Sequence, residues 1–275
     1  MVFAINLQRE PARWNRLVRA LDDSGVPAHR IPAIDGIADT SAVLARRGLV
    51  ADPVTRVITL CNPYRGNGRP YTVSEEACFQ SHVLAIETFL SSGAQFGLIL
   101  EDDAVFSDDL FSDGGVICGC LGVAPKWDVV KLEGTKRGGR RLGVVYRRFP
   151  HGALFGSFRP SMGTAAYLLS RTGAEKLLSA AADDIEPFDQ VLTDTRRHRL
   201  RQLDYAPFPV HQDWKMPSDI DHLPNSTSAR ARLMRKYSRF SRYADRVRRF
   251  TGGGGISLSL QPWVRPGLIE GIAST

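Results

Sequence analysis

Apolar residues fall into short continuous runs, and between those runs they switch to three- and four-residue spacing. That alternation marks strands separated by amphipathic helices. Val2–Leu7 is a short, mainly apolar run that predicts a buried first strand. Pro11 suits the first turn of a helix, on which Trp14, Leu17, Val18 and Leu21 share one face before Gly25 closes it. Arg30–Ile34 predicts a second strand, ending at the turn dipeptide Asp35-Gly36. Strand, helix and strand in that order predict an α/β fold on a parallel sheet.

Residues 51–71 are rich in Pro, Gly, Asn and Arg and predict an irregular excursion. A helix follows, opened by the capping-box pair Thr72 and Glu75, with Cys78, Ser81, His82, Ala85 and Phe89 on one face. Phe96–Phe106 is an apolar strand that runs into Glu101-Asp102-Asp103. Further strands are predicted at Asp128–Leu132, Gly163–Ser170 and Gln202–Pro207. Gly134–Gly143 is too polar to pack and predicts a mobile loop. Thr172 and Glu175 predict a second capped helix running to about Ala182, and Ile185–Asp189 a turn carrying two carboxylates.

Beyond about Pro224 the pattern changes. Leu233, Tyr237, Phe240, Ala244, Val247 and Phe250 repeat at four and three residues, arginines fill the other face, and Gly252–Gly255 ends the element. Residues 1–225 are therefore expected to form the main domain, and 226–275 a basic amphipathic helix and flexible tail. That helix either docks on the body or lies on a membrane surface.

Composition adds boundaries. The 275 residues, 43% of them hydrophobic, can bury a full core. No apolar run approaches the roughly 20 residues that cross a bilayer. Met1–Ile5 lacks the basic and apolar regions of a secretory signal, so a cytoplasmic location is expected. Cys61, Cys78, Cys118 and Cys120 contain no Cys-x-x-Cys pair, which suggests reduced thiols and no zinc site. The net charge of +7 is concentrated in Ser228–Phe250, where Asp245 is the only acid. An anionic surface is the expected partner of that segment. Its aromatics lie opposite the basic face, which argues against a nucleic-acid binder.

The sharpest chemical feature is Glu101-Asp102-Asp103. Adjacent carboxylates at a strand end either cap and solvate a loop or hold a hard divalent cation with phosphate and water in its other positions. The outer pair has acid-x-acid spacing, so Glu101 and Asp103 share one side of an extended segment while Asp102 faces the fold.

Several stretches resemble one family in order and spacing over residues 2–215. Ile5-Asn6-Leu7 with Arg9 and Arg13, then Ala33–Gly36, is similar to the N-terminus of glycosyltransferase family 25. These are lipopolysaccharide-biosynthesis glycosyltransferases related to the collagen galactosyltransferases. Glu76–His82 resembles that family's Gly-Cys-x-x-Ser-His helix, with Ala77 in place of Gly. Leu98–Asp103 resembles its acidic motif, Gly163–Leu168 with Ala174, Lys176 and Leu177 a later strand–helix block, and Pro187-Phe188-Asp189 a short Pro-x-Asp motif.

The resemblance implies a GT-A-like nucleotide-binding sheet flanked by helices. It also implies inverting transfer of a hexose, galactose first, from a UDP-sugar to a glycan or glycolipid such as lipopolysaccharide. Mn²⁺ or Mg²⁺ would stabilise the departing diphosphate, with Asp103 as direct ligand, Glu101 contacting metal or ribose, and His211 as a late nitrogen ligand. The resemblance places the acceptor-side base at Asp189, with Glu186 as fallback; Asp189 could instead cap a helix. Asn6 and Asp35, at strand ends, are candidates for donor contact or for turn formation, and Asp102 orients its neighbours. Lys131 or an Arg of residues 134–143 would neutralise phosphate. Ser81 and His82 are either substrate contacts or buried supports. Two other functions compete: a different metal-dependent nucleotide-sugar or nucleotidyl transferase, and a non-catalytic glycan-binding relative. A glycolipid acceptor would place the chain peripherally on the inner membrane face through its basic tail.

Overall fold

The computed structural model describes residues 1–58, 71–124, 126–134, 140–158, 161–182, 185–213 and 258–262. Among them nine strands form one mixed sheet. In spatial order these are β11 (Leu258–Pro262), β6 (Arg140–Phe149), β7 (Gly152–Ser157), β9 (Gln202–Ala206), β5 (Val129–Lys131), β8 (Ala166–Ser170), β3 (Phe96–Glu101), β1 (Val2–Asn6) and β2 (Ala28–Pro32). A small second sheet pairs β4 (Ala104–Phe106) with β10 (Val210–Gln212).

The opening strand–helix–strand is parallel as expected, with α1 (Pro11–Asp23) crossing between β1 and β2. The sheet as a whole is not parallel. β8 runs antiparallel to both β3 and β5, and β7, β6 and β11 are antiparallel to their neighbours. β3 and β5 consequently point the same way, and their carboxyl ends share one edge with those of β1 and β9.

Strand alternation divides the core into two layers. Val2, Ala4, Leu98, Leu100, Val130 and Leu132 pack with Leu17 and Leu21 of α1 and with α4 (Val116–Leu121). Phe3, Ile5, Ile99, Val129, Tyr167 and Leu169 pack on the opposite face. That face is covered by α3 (Val73–Ser91), α5 (Arg171–Ala181) and α6 (Phe188–Thr193). A third cluster joins α2 (Thr40–Ala45) to the start of α3 through Val43, Ile58, Tyr71, Val73 and Ala77.

Several expectations shift. The second strand begins two residues early, at Ala28, and the strand expected from Gly163 begins at Ala166. The cap of α5 is Ser170, whose hydroxyl accepts from the Gly173 amide at 3.0 Å; Thr172 already lies inside the helix. Within the loop expected over Gly134–Gly143, residues 135–139 lie outside the described residues, whereas 140–143 belong to β6. β7 and β11 flank that strand, so paired neighbours override its polar composition. The basic helix expected over 226–250 lies outside the described residues, but Leu258–Pro262 of the expected tail forms the sheet's edge strand.

The capping box at α3 forms as the sequence predicts: the Thr72 hydroxyl accepts from the Glu75 amide at 3.2 Å, and the Glu75 carboxylate accepts from the Thr72 amide at 3.0 Å. Thr72→Ala is expected to cost about 1 kcal/mol in chemical denaturation. An unchanged midpoint would show that tertiary packing alone holds this end.

Candidate functional site

Strand alternation decides which charges meet. Ile99 and Val129 face the α3, α5 and α6 layer, so Glu101 and Lys131, each two residues further on, face it too. Asp204 is paired with Lys131 across β5 and β9. Asp189 enters from the first turn of α6, and His82 from the buried face of α3.

Asp102 faces the other layer, as its alternation predicts. Its carboxylate accepts from the Asn6 side-chain amide at 2.6 Å and pairs with Arg13 of α1 at 2.7 Å. Arg16 donates to the Asp102 carbonyl at 3.2 Å and is bonded to Asp213, whose amide donates to the Asp103 carbonyl at 2.9 Å. The acidic turn is thus pinned from β1, α1 and the end of β10. Asp103 is left half-buried, with Gln212 at 3.4 Å and Arg13 at 3.8 Å from Oδ2. Its Oδ1 is buried with no hydrogen-bond partner among the described residues. Burial first, then the Glu101 charge, pushes the Asp103 carboxyl well above its ordinary range.

Three consecutive residues ahead of β8 tie the two strand ends together. The Gly163 carbonyl accepts from Lys131, the Thr164 hydroxyl donates to Glu101, and the Ala165 amide donates to Glu133. The Ala165 carbonyl also accepts from the Glu101 amide at 2.9 Å. Glu101 lies 3.3 Å from His82 Nε2, while His82 Nδ1 is 3.0 Å from the Tyr167 hydroxyl and its ring stacks on Phe188 at 4.5 Å. Burial raises the Glu101 carboxyl, but the His82 and Thr164 contacts and Lys131 outweigh it, and the group titrates below its usual range. Lys131 is fully buried; desolvation lowers its pKa against the pull of Glu133, Asp204, Asp189 and Glu101.

Glu133 is 1% exposed, and its Oε2 has no hydrogen-bond partner among the described residues. Gly163, at a φ of +97°, packs directly on it: a Cβ there would come within 2.4 Å of Oε2. Burial, reinforced by Glu101 and Asp189 and opposed by Lys131, pushes the Glu133 carboxyl up to about 7.

Of the residues expected at the site, Glu101, Lys131 and Asp189 meet in this cluster, and Asp103 lies beside it. Asp189 does not cap α6: the N-cap is Pro187, without a side-chain cap bond. Glu186 sits half-buried just ahead of that helix. Asn6 is 1% exposed, bonded to Asp102, Glu10 and Arg30, and serves the fold. Asp35 accepts from Arg9 and from the Ile37 and Ala38 amides, a turn-forming role. Ser81 accepts from the Ile34 amide and donates to Ala77, so it too is a support. His211 pairs with Val105 across β4 and β10, and alternation sends its ring to the face opposite Gln212.

Glu133, Thr164 and the ionic role of Arg13 were not read from the sequence. The Lys131-Leu132-Glu133 alternation carries a signal for Glu133, since it puts both charges on one face.

Among the described residues no three His, Cys, Asp or Glu side chains are set to hold a metal ion. Asp103, Glu101 and His211 are thus not gathered as one such group, and Glu101 turns to Thr164 and His82. The donor set still fits a hard ion of the Mg²⁺ or Mn²⁺ kind, which needs only one or two protein carboxylates beside phosphate and water. The buried, unpartnered Oδ1 of Asp103 is such a donor.

Fold and site together define a mixed α/β protein with a carboxylate-rich cluster at the carboxyl edge of its sheet. Residues 1–115 match the model of glycosyltransferase family 25 (LPS biosynthesis protein). It is 30% identical over 186 residues to the Rattus norvegicus protein named probable inactive glycosyltransferase 25 family member 3, a match covering 65% of this chain and 30% of that one. It is 28% identical over 194 residues to procollagen galactosyltransferase 1 of Danio rerio, covering 70% of this chain and 29% of that one. The chain thus spans less than a third of the curated relatives it matches. The crystal structure of a glycosyltransferase involved in glycosylation of the major capsid of PBCV-1 is 8% identical, with a TM-score of 0.41 over 90% of this chain and 98% of that one.

A carboxyl raised from its ordinary 4.5 to about 7 binds its proton more tightly folded than unfolded. It therefore favours the fold fully below about pH 4.5, and that contribution is lost as pH rises through 7. Glu133→Gln, which stays neutral, is expected to gain on the wild type between pH 5 and 8, by on the order of 1–3 kcal/mol at the upper end. Melting curves across that range check it; a difference constant with pH would mean that Glu133 does not titrate there.

Proposed function

We propose that the chain is an inverting glycosyltransferase that moves a hexose, galactose first, from a UDP-sugar to a hydroxyl of a glycan or glycolipid acceptor such as lipopolysaccharide. The observation that carries this is the buried oxygen of Asp103, without a hydrogen-bond partner among the described residues, on a turn pinned from three elements at the carboxyl edge of the sheet. In open α/β sheets that edge is where nucleotides bind. The kinship with glycosyltransferase family 25, which includes a relative named for galactosyl transfer to procollagen, supports the reaction class.

Asp103 would hold the Mn²⁺ or Mg²⁺ ion. The ion, when bound, supplies positive charge where the diphosphate leaves. Arg13, Asn6 and Arg16 keep the turn from swinging as charge is added or removed. Glu101, locked by Thr164 and His82, contributes fixed negative charge beside the donor rather than a free ligand. Lys131 balances the carboxylates from inside the protein and leaves phosphate neutralisation to the arginines. Asp189 works on the acceptor side, where it orients the attacking hydroxyl.

A second function is a glycan-binding relative without turnover, favoured by the similarity to a protein named probable inactive. Catalysis separates the two. UDP release is to be measured from UDP-galactose, UDP-glucose and GDP-sugars, with and without Mn²⁺, using water, lactose and hydroxylysine as acceptors. The transferase should turn over a UDP-hexose only with the metal, and Asp103→Asn should abolish turnover and metal-dependent donor binding. Donor binding without turnover in the intact chain would favour the non-catalytic relative, and full turnover of Asp103→Asn would remove the metal assignment.

The basic segment Ser228–Phe250 would hold the enzyme on an anionic cytoplasmic leaflet, close to a glycolipid acceptor. Among the described residues no helix is long and apolar enough to cross a membrane. Vesicles containing phosphatidylserine should float the full chain but not a form with those arginines replaced by glutamine. Equal flotation of both forms would refute the attachment.

A further inference from the structure

Glu133 has no task in the transfer just outlined, yet the fold is shaped around it. Lys131 and Glu133 leave β5 on the same face, and Lys131 is bonded to Gly163, whose missing side chain makes room for the Glu133 carboxylate. The Ala165 amide fixes that carboxylate, while Oε2 remains buried with no hydrogen-bond partner among the described residues. A buried polar oxygen without a partner costs free energy, and in a native fold it calls for a functional explanation.

Resting on the transferase function above, we propose that Glu133 is a catalytic residue: the carboxylate that receives the proton of the attacking acceptor hydroxyl. In that step the acceptor oxygen bonds to the anomeric carbon of the hexose. The bond from that carbon to the diphosphate oxygen breaks, and its electron pair leaves with the diphosphate. The hydroxyl proton passes to Oε2 of Glu133. Contact between base and hydroxyl forms in the complex with donor and acceptor; unliganded structures often lack it.

The surroundings suit the role. Facing Glu133 are Lys131 from its own strand, Glu101 from β3, Asp189 from α6, the Ala165 amide ahead of β8, and Asp103 from the acidic turn. Three of these are carboxylates, so a proton taken up by Glu133 is held among negative charges. Asp189 contributes its charge and orients the hydroxyl.

The test uses the full chain with Mn²⁺ and UDP-galactose, reading UDP release to water, lactose and hydroxylysine across pH 5–9, with donor affinity by calorimetry. Glu133→Gln should lower turnover by about 10²- to 10⁴-fold, leave UDP-galactose affinity within about threefold, and flatten the acid limb of the kcat profile. Asp189→Asn should slow turnover but keep that limb. Glu133→Asp, which retains an acid displaced by one methylene, should lose at least about tenfold and keep a limb.

Turnover of Glu133→Gln within about threefold of wild type, with its limb intact, overturns the assignment. So does loss of donor affinity in that variant. If Glu133→Gln fails to fold, unchanged turnover of Glu133→Asp overturns it as well. A wild-type chain that binds UDP-galactose and releases no UDP overturns the transferase function itself, and the assignment with it.

Discussion

The site depends on one short covalent connection, Gly163-Thr164-Ala165, reaching three charged side chains on two different strands. β8 enters the sheet between β3 and β5 in the opposite direction. The residues leading into it must therefore pass directly across the carboxyl ends of both neighbours. One carbonyl, one hydroxyl and one amide in succession then bond Lys131, Glu101 and Glu133. A parallel strand at that position would send its lead-in to the far edge and leave these charges unsupported. The antiparallel insertion is a topological fact with a chemical result.

Charge balance inside the cluster follows from the same arrangement. Glu101, Glu133, Asp189 and Asp204 surround Lys131, with His82 and Arg13 at the margins. Buried carboxylates at this density cannot all be ionised cheaply, because each repels the others through a medium that screens poorly. The fold resolves this unevenly. Glu101 receives a hydroxyl and an imidazole and stays anionic, whereas Glu133 and Asp103 are left short of partners and are driven upward. Uneven titration of like groups is how a protein gives them different chemical roles at one pH.

Much of this could be read along the chain, and the failures have definite causes. The first strand, the helix from Pro11 and the capping box at Thr72 are local: period and end signals lie within a few residues. The acid-x-acid spacing correctly turned Asp102 toward the fold, because alternation is also local. The strand Arg140–Phe149 was missed because its arginines and glycine resemble a loop, and only pairing with β7 and β11 holds it extended. Glu133 escaped notice because its one local mark is the alternation with Lys131. Its partner Gly163 comes from a separate strand–helix block, and the burial that changes its chemistry belongs to the folded sheet. Gln212, one residue beyond His211 on β10, was not singled out, because its approach to Asp103 comes from the pairing of β10 with β4 and not from any local pattern.

The last strand has a practical bearing on how this protein can be handled. Leu258–Pro262 pairs along residues 140–144 and closes the outer margin of the sheet. Residues 214–257 lie between Asp213, at the acidic turn, and β11, at the far margin of the sheet. Cutting the chain after Asp213 would strip a pairing partner from β6 and bare a row of backbone amides and carbonyls, an invitation to self-association. Shortened versions intended to improve solubility should therefore excise only the interior of that segment and retain its terminal strand.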